Sequence, residues 1–151
     1  MEQAEKALRE VYEPAFYSRV GLRYVDTIVR EDLGLAGVSW HKLIKPYFAG
    51  LFSSTELGAN LQESKSETLV QLDGAENSFV KIRHGFITLE GSDRTAFLLD
   101  ADFSVQGRLS SDDAYESLAV FNRLARDLFR WSITAELEEA LGPQSVDEVV
   151  G

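Results

Sequence analysis

The run Tyr17-Ser-Arg-Val-Gly-Leu-Arg-Tyr-Val-Asp-Thr-Ile-Val29 decides the fold, because its polar and apolar side chains alternate. Successive side chains of an extended chain point to opposite faces, so Val20, Leu22, Tyr24 and Ile28 share one face and Arg19, Arg23 and Thr27 the other. That is the pattern of a half-buried strand. Asp26 interrupts the apolar face, a local conflict. The same period returns in Arg94 to Val105, where Phe97, Leu99, Ala101, Phe103 and Val105 alternate with Asp100 and Asp102.

Between these two stretches the chain reads as an antiparallel meander over residues 57–105. Leu69 to Asp73 leads into an Asp-Gly reversal at residues 73–77, and Phe79 to Glu90 follows with Val80, Ile82, His84 and Phe86 on one face. Gly91-Ser92-Asp93 makes the next turn. Residues 57–66 carry the weakest pattern and read as an extension of the first meander strand through a bulge.

Helical signals surround this sheet. Residues 2–12 have Ala4, Ala7, Leu8 and Val11 on one stripe, closed by Pro14. Ser39 is positioned to cap a helix over 40–52, where Pro46 predicts a kink or two shorter pieces. Ser110 and Asp113 have capping-box spacing. After them Leu118, Phe121, Leu124, Leu128, Trp131 and Leu137 form one stripe to about Leu141, before Gly142-Pro143. The expected fold is α+β. It has an antiparallel sheet of about four strands in a β-α-β-β-β-α core, with helices on one face and a long C-terminal helix. A single domain spans 1–143, and the polar tail 144–151 is expected to fray.

Composition narrows the chemistry. A chain of 151 residues with 44% hydrophobic residues has the material for one core. With no cysteine, disulfides, thiolate metal sites and cysteine nucleophiles are excluded. Twenty-five acidic against 15 basic residues give a net charge of −10, and the bases are scattered, which disfavours nucleic-acid binding. The opening Met1-Glu-Gln-Ala-Glu-Lys lacks the basic and apolar regions of a signal peptide, and no apolar run approaches the ~20 residues of a membrane span. The expectation is a cytoplasmic protein without a membrane anchor.

Three constellations have chemical potential. Asp100 and Asp102 share a strand face, so both carboxylates can grip a divalent cation; the competing reading pairs them with Arg19, Arg23, Lys81 and Arg83 across the sheet, and that reading is preferred. His84 is a possible base or switch, with a core-edge structural role preferred. Arg19 and Arg23 flank Gly21, which leaves room for an anion above it; pairing with the sheet aspartates again competes. No phosphate loop, dinucleotide fingerprint or nucleophile elbow occurs, so no cofactor, metal or catalytic residue is assigned.

The run Arg19-Val-Gly-Leu-Arg-Tyr-Val-Asp-Thr-Ile28 resembles the hallmark of a sporadically distributed family of uncharacterised microbial proteins. That pattern is Arg, an apolar residue, Gly-Leu-Arg-Tyr, an apolar residue, usually Asn, any residue, then Ile. Asp26 stands where asparagine is usual. Leu99-Asp-Ala-Asp102 and the helix ending Phe129-Arg-Trp-Ser-Ile-Thr134 are similar to further family segments. The resemblance covers most of this chain but only the C-terminal part of typical members, which are longer. It implies no activity. It does suggest that Arg19, Arg23 and Asp26 form a polar lattice with Asp100 and Asp102.

The candidate ligand-contacting residues are therefore Arg19, Arg23, Asp26, His84, Asp100 and Asp102. The leading functional expectation is a non-enzymatic protein-interaction module that binds a protein partner or forms a homodimer. The alternative is a small-ligand or catalytic domain whose pocket lies between sheet and C-terminal helix, lined by Trp40, Tyr24, His84 and Phe86. A metal-dependent hydrolase using Asp100 and Asp102 comes third.

Overall fold

A computed structural model describes residues 15–54, 56–73 and 76–142. The helix expected over 2–12 and the tail from 144 lie outside them. The alternating runs form four strands: β1 (Tyr17–Val29), β2 (Ser64–Gln71), β3 (Ser78–Thr88) and β4 (Thr95–Leu109). They make one antiparallel sheet in the order β1-β4-β3-β2, so the meander is complete and β1 closes its far side. Of the weakly patterned stretch 57–66 only residues 64–66 join β2, without the expected bulge, and a 3-10 turn (Gly58–Asn60) precedes them. Gly91, at φ 76°, turns β3 into β4 in the left-handed region that glycine adopts without steric cost.

Register sorts the side chains by face. Val20, Leu22 and Ile28 of β1 lie beside Val105, Phe103 and Phe97 of β4, and beyond them stand Val80, Ile82 and Phe86 of β3. This inner face is the core, and every helix packs on it. Helix α3 (Ser111–Ser132) crosses β1 and β4, placing Phe121 on Phe103 with ring centroids 5.8 Å apart. Its start is the expected capping box: Asp113 N donates to Ser110 Oγ at 3.2 Å, and Ser110 N donates to the Asp113 carboxylate at 2.8 Å.

The segment around Pro46 breaks as its proline demands. Helix α1 (Trp40–Leu43) and helix α2 (Pro46–Ala49) are separated by the extended residues Ile44 and Lys45, and a 3-10 turn (Gly50–Ser53) follows. They cover the other end of the inner face, where Trp40 and Phe52 pack on Phe86 at 5.1 and 4.0 Å. Ser39 holds the N-cap position of α1, yet its side chain makes no capping hydrogen bond, contrary to expectation.

The C-terminal helix is not continuous to Leu141. It stops at Ser132, and α4 (Ala135–Leu141) starts afresh with Thr134 as N-cap. The reason is tertiary. Ile133 leaves the helix to form a β-bridge with Ile44, so two helix interruptions from opposite ends of the chain satisfy each other's backbone. Lys45 N donates to Ser132 O and Thr134 N to Leu43 O, both at 2.9 Å. Ile44 and Ile133 are buried as a result. Trp131, expected on the buried stripe, is 54% exposed. Ten residues past Phe121, it lies about 80° round the helix from that residue.

Candidate functional site

Strand alternation sends Arg19, Arg23, Lys81, Arg83, Asp100, Asp102 and Glu67 to the face of the sheet that carries no helix. There they form a chain of ion pairs. Arg23 holds Asp100 with two bonds, Nε to Oδ1 at 2.7 Å and Nη2 to Oδ2 at 2.8 Å. Arg83 approaches from the other side, Nη1 to Oδ2 at 3.1 Å, and turns its Nε to Glu67 at 2.7 Å. Lys81 completes the row, 3.7 Å from Glu67. Asp100 is thereby roofed by two guanidinium groups and is buried although it points outward. The pairing was expected; the burial was not.

Charge follows from geometry. The hydrogen bond from Arg23 holds the Asp100 carboxyl below the usual carboxylate range, against the opposing effect of burial. The Arg83 bond does the same for Glu67. Both arginines are held more firmly protonated than usual by the acids they meet. Both Asp100 oxygens are committed to guanidinium groups, so a cation held between Asp100 and Asp102 would have to displace them.

The gap above Gly21 is occupied from within. Arg19 lies flat across the glycine on its way to Asp102, which it reaches at 3.6 Å. A Cβ at Gly21 would stand 3.0 Å from Arg19 Nη1 and 3.1 Å from the Phe103 carbonyl oxygen. The glycine thus makes room for this chain's own arginine where an external anion was expected.

Asp26 and His84 do not join the lattice. Even numbering in β1 and β3 places both on the inner face, on either side of Leu99. Asp26 is half-buried there, and desolvation pushes its carboxyl pKa up. His84 packs against Phe48, ring centroids 4.7 Å apart, with Nδ1 buried and unbonded. Burial lowers its pKa, partly opposed by a hydrogen bond with the Phe48 backbone. The suggested lattice of five residues therefore keeps four and loses Asp26 to strand parity.

The four residues expected to line a pocket under the closing helix take up separate places. Tyr24 sits at the sheet edge with its hydroxyl donating to Asn122 Oδ1 at 2.7 Å, and Phe86 is wholly enclosed by Trp40, Phe52 and Phe97. Trp40 alone of the four borders an open cleft at the end of the sheet, together with Arg30 and His41. Sequence reading also missed Glu67. It fell between the weakly patterned residues 57–66 and the strand read from Leu69, and its signal was the alternation Lys65, Glu67, Leu69.

Among the described residues no helix is long and apolar enough to cross a membrane, and no group of three or more acidic or histidine side chains is placed to hold a metal ion. No protein-family model, curated protein or solved structure matches this chain.

Proposed function

We propose that this domain is a non-enzymatic interaction module that associates with a second copy of itself through β2. One observation carries the reading. From Lys65 to Gln71 every residue of β2 is exposed, on both faces of the sheet, and among the described residues no strand pairs with its outer edge. Helices cover the inner face over β1, β4 and β3 but stop short of β2, leaving Val70 40% exposed, while Leu69, 63% exposed, stands beside Lys81 on the face that carries no helix. A strand that buries neither face contributes little to its own core, and an open edge with apolar side chains is a ready template for strand addition.

Charge alternation favours a like partner. In an antiparallel two-fold pairing centred on Ser66, Lys65 of each copy lies across from Glu67 of the other. Centred there, residues 64–68 of each copy overlap over about 17 Å, enough for a weak, concentration-dependent contact.

The test is light scattering with size-exclusion over a concentration series. Wild type is expected to shift toward twice the monomer mass as concentration rises. The variant Lys65→Glu, which sets like charges across the pairing, should remain monomeric with an unchanged melting midpoint. A wild type that stays monomeric to about 1 mM, a regime where even weak contacts populate, overturns the reading. Small-ligand binding, the second reading, is favoured by a separate part of the fold, the cleft beside Trp40.

A further inference from the structure

Two large aromatic side chains stand uncovered side by side. Tyr47 of α2 and Trp131 of α3 are stacked with ring centroids 4.7 Å apart, yet they are 52% and 54% exposed. The Tyr47 hydroxyl donates to the Trp131 carbonyl at 3.1 Å, and the buried Phe48 backs the pair, its ring edge-on to Trp131 at 5.4 Å. Aromatic rings held in place but left half in water are characteristic anchors of protein interfaces.

Phe48 ties this pair to the edge strand. Its ring packs on His84 of β3, 4.7 Å between centroids, and His84 lies directly across from Ser66 of β2. Through Phe48 the aromatic pair therefore borders the row of the sheet that ends at Ser66, and the helices stop short of β2. Ser66 is exposed and its side chain is small, so the row stays open above it. The two-fold axis of the strand pairing passes through this same residue. Such an axis stands perpendicular to the sheet, so both copies keep their inner faces on one side. Their His84 residues are then three strand spacings apart, about 14 Å, with only the two Ser66 side chains between them. A gap of that width admits aromatic side chains from both copies.

Area argues for the same occupant. The overlapping strand edges offer a strip about 17 Å by 10 Å on each copy, well short of the ~1,000 Å² that a stable interface buries. A tyrosine or tryptophan brings about 150–250 Å² when fully buried, so the uncovered halves of four such rings add roughly 400 Å². Strand addition alone accepts any extended segment. The aromatic pairs select a second copy, because a two-fold axis brings like surfaces together.

We propose that Tyr47 and Trp131 are the second half of the self-association surface. In the dimer the aromatic pairs of the two copies close over the Ser66 axis and shield each other from water. This rests on the strand pairing through β2 and assigns to it the apolar contact that the strand edge lacks.

The chain contains two tryptophans, and Trp40 is 6% exposed, so Trp131 is the one open to a dissolved probe. The indole N–H resonances of full-length protein are followed with a soluble nitroxide from about 20 μM to about 1 mM, a range that populates weak dimers, alongside light scattering. Trp131 should escape broadening by the nitroxide in step with the dimer fraction, while Trp40 does not change. Trp131→Gln should weaken dimerisation at least about tenfold, the lower end for an interface tryptophan. A dimer in which Trp131 stays open to the nitroxide, or which Trp131→Gln forms as tightly as wild type, overturns the inference and leaves the strand pairing standing. A Trp131 already shielded in the monomer overturns it too, the pair then being covered from within its own chain. A dimer lost on Trp131→Gln but kept on Lys65→Glu rules out the strand pairing, and the joint surface with it. A wild type that never associates sinks both. If Trp131→Gln does not fold, the wild-type resonance decides alone.

Discussion

Arg23 on β1 binds both oxygens of Asp100 on β4, although the strand register sets Asp102, not Asp100, across from it. The arginine reaches one step diagonally, and the place it leaves opposite Asp102 is filled by Arg19, stretched over Gly21. Arg83, directly opposite Asp100 on β3, closes the other side. The lattice is therefore a set of diagonal braces between neighbouring strands, and its central carboxylate is the one group that cannot rehydrate without breaking two of them.

Asp100→Asn should cost about 1–3 kcal/mol at neutral pH, the worth of hydrogen bonds to a charged group that is removed from water. It should also flatten the acid limb of stability. The folded-state pKa of Asp100 is depressed, so on acidification the unfolded chain takes up this proton first. Stability from the cluster is whole above the ordinary carboxylate pKa, about 3.9, and drains as pH falls below it toward the folded value. His84 adds an earlier loss of the same sign, starting below about pH 6.5, because its folded pKa is also depressed. Thermal melts of both proteins from pH 7 to 3 check this; parallel curves in the lowest pH range would count against the lattice as the source.

Asp26 carries the opposite sign. Its folded pKa is raised by desolvation, so the charged form is a burden at neutral pH and the neutral form is not. Asp26→Asn should raise the melting midpoint at pH 7, with the gain vanishing below about pH 4, where both side chains are uncharged. A charge turned inward on an edge strand also discourages strand addition. Asp26→Val should therefore self-associate more through β1 than Asp26→Asn does, as read by light scattering.

The two strand glycines near the lattice differ in what their missing Cβ protects. At Gly85 a Cβ would stand 1.9 Å from the Ser64 carbonyl oxygen and 3.0 Å from Lys65 Cα, so β2 must move to admit it. Gly85→Ala should cost about 2–3 kcal/mol by overpacking. Gly21→Ala meets chiefly the far end of Arg19, and its cost should stay within about 1 kcal/mol, the scale of an exposed ion pair. Denaturant unfolding of the pair measures the difference; equal costs would contradict the close approach at β2.

Thr134 joins the two helix interruptions. Its hydroxyl donates to the Lys42 carbonyl at 2.6 Å while its own helix starts at the next residue. Thr134→Ala should cost about 1–2 kcal/mol, more than Ser110→Ala at the start of α3, about 1 kcal/mol for the loss of a cap. Amide exchange should then accelerate at Lys45 and Thr134 together, because both bonds span the same bridge. Acceleration at one site alone would separate what the geometry couples.

Local periodicity was enough to determine β1, β4, the Ser110 cap and the break at Pro46, because alternation, capping and the missing proline N–H act within a few residues. Parity likewise told which side chains share a strand face and marked Asp26 as a break in the apolar one, yet the lattice expected from the family resemblance still joined it to Arg19 and Arg23, and the structure separates them. Only the tertiary structure decided the rest: that Asp100 is roofed over, that Arg19 fills the space over Gly21, that Ile133 deserts its helix for Ile44, and that Arg30 meets Trp40 beside a cleft. Each of these joins groups brought together by the packing of the whole chain, as when Arg23 meets Asp100 across 77 residues. Their free energy depends on which strands become neighbours and on how much water they exclude together, and no short window of sequence carries that information.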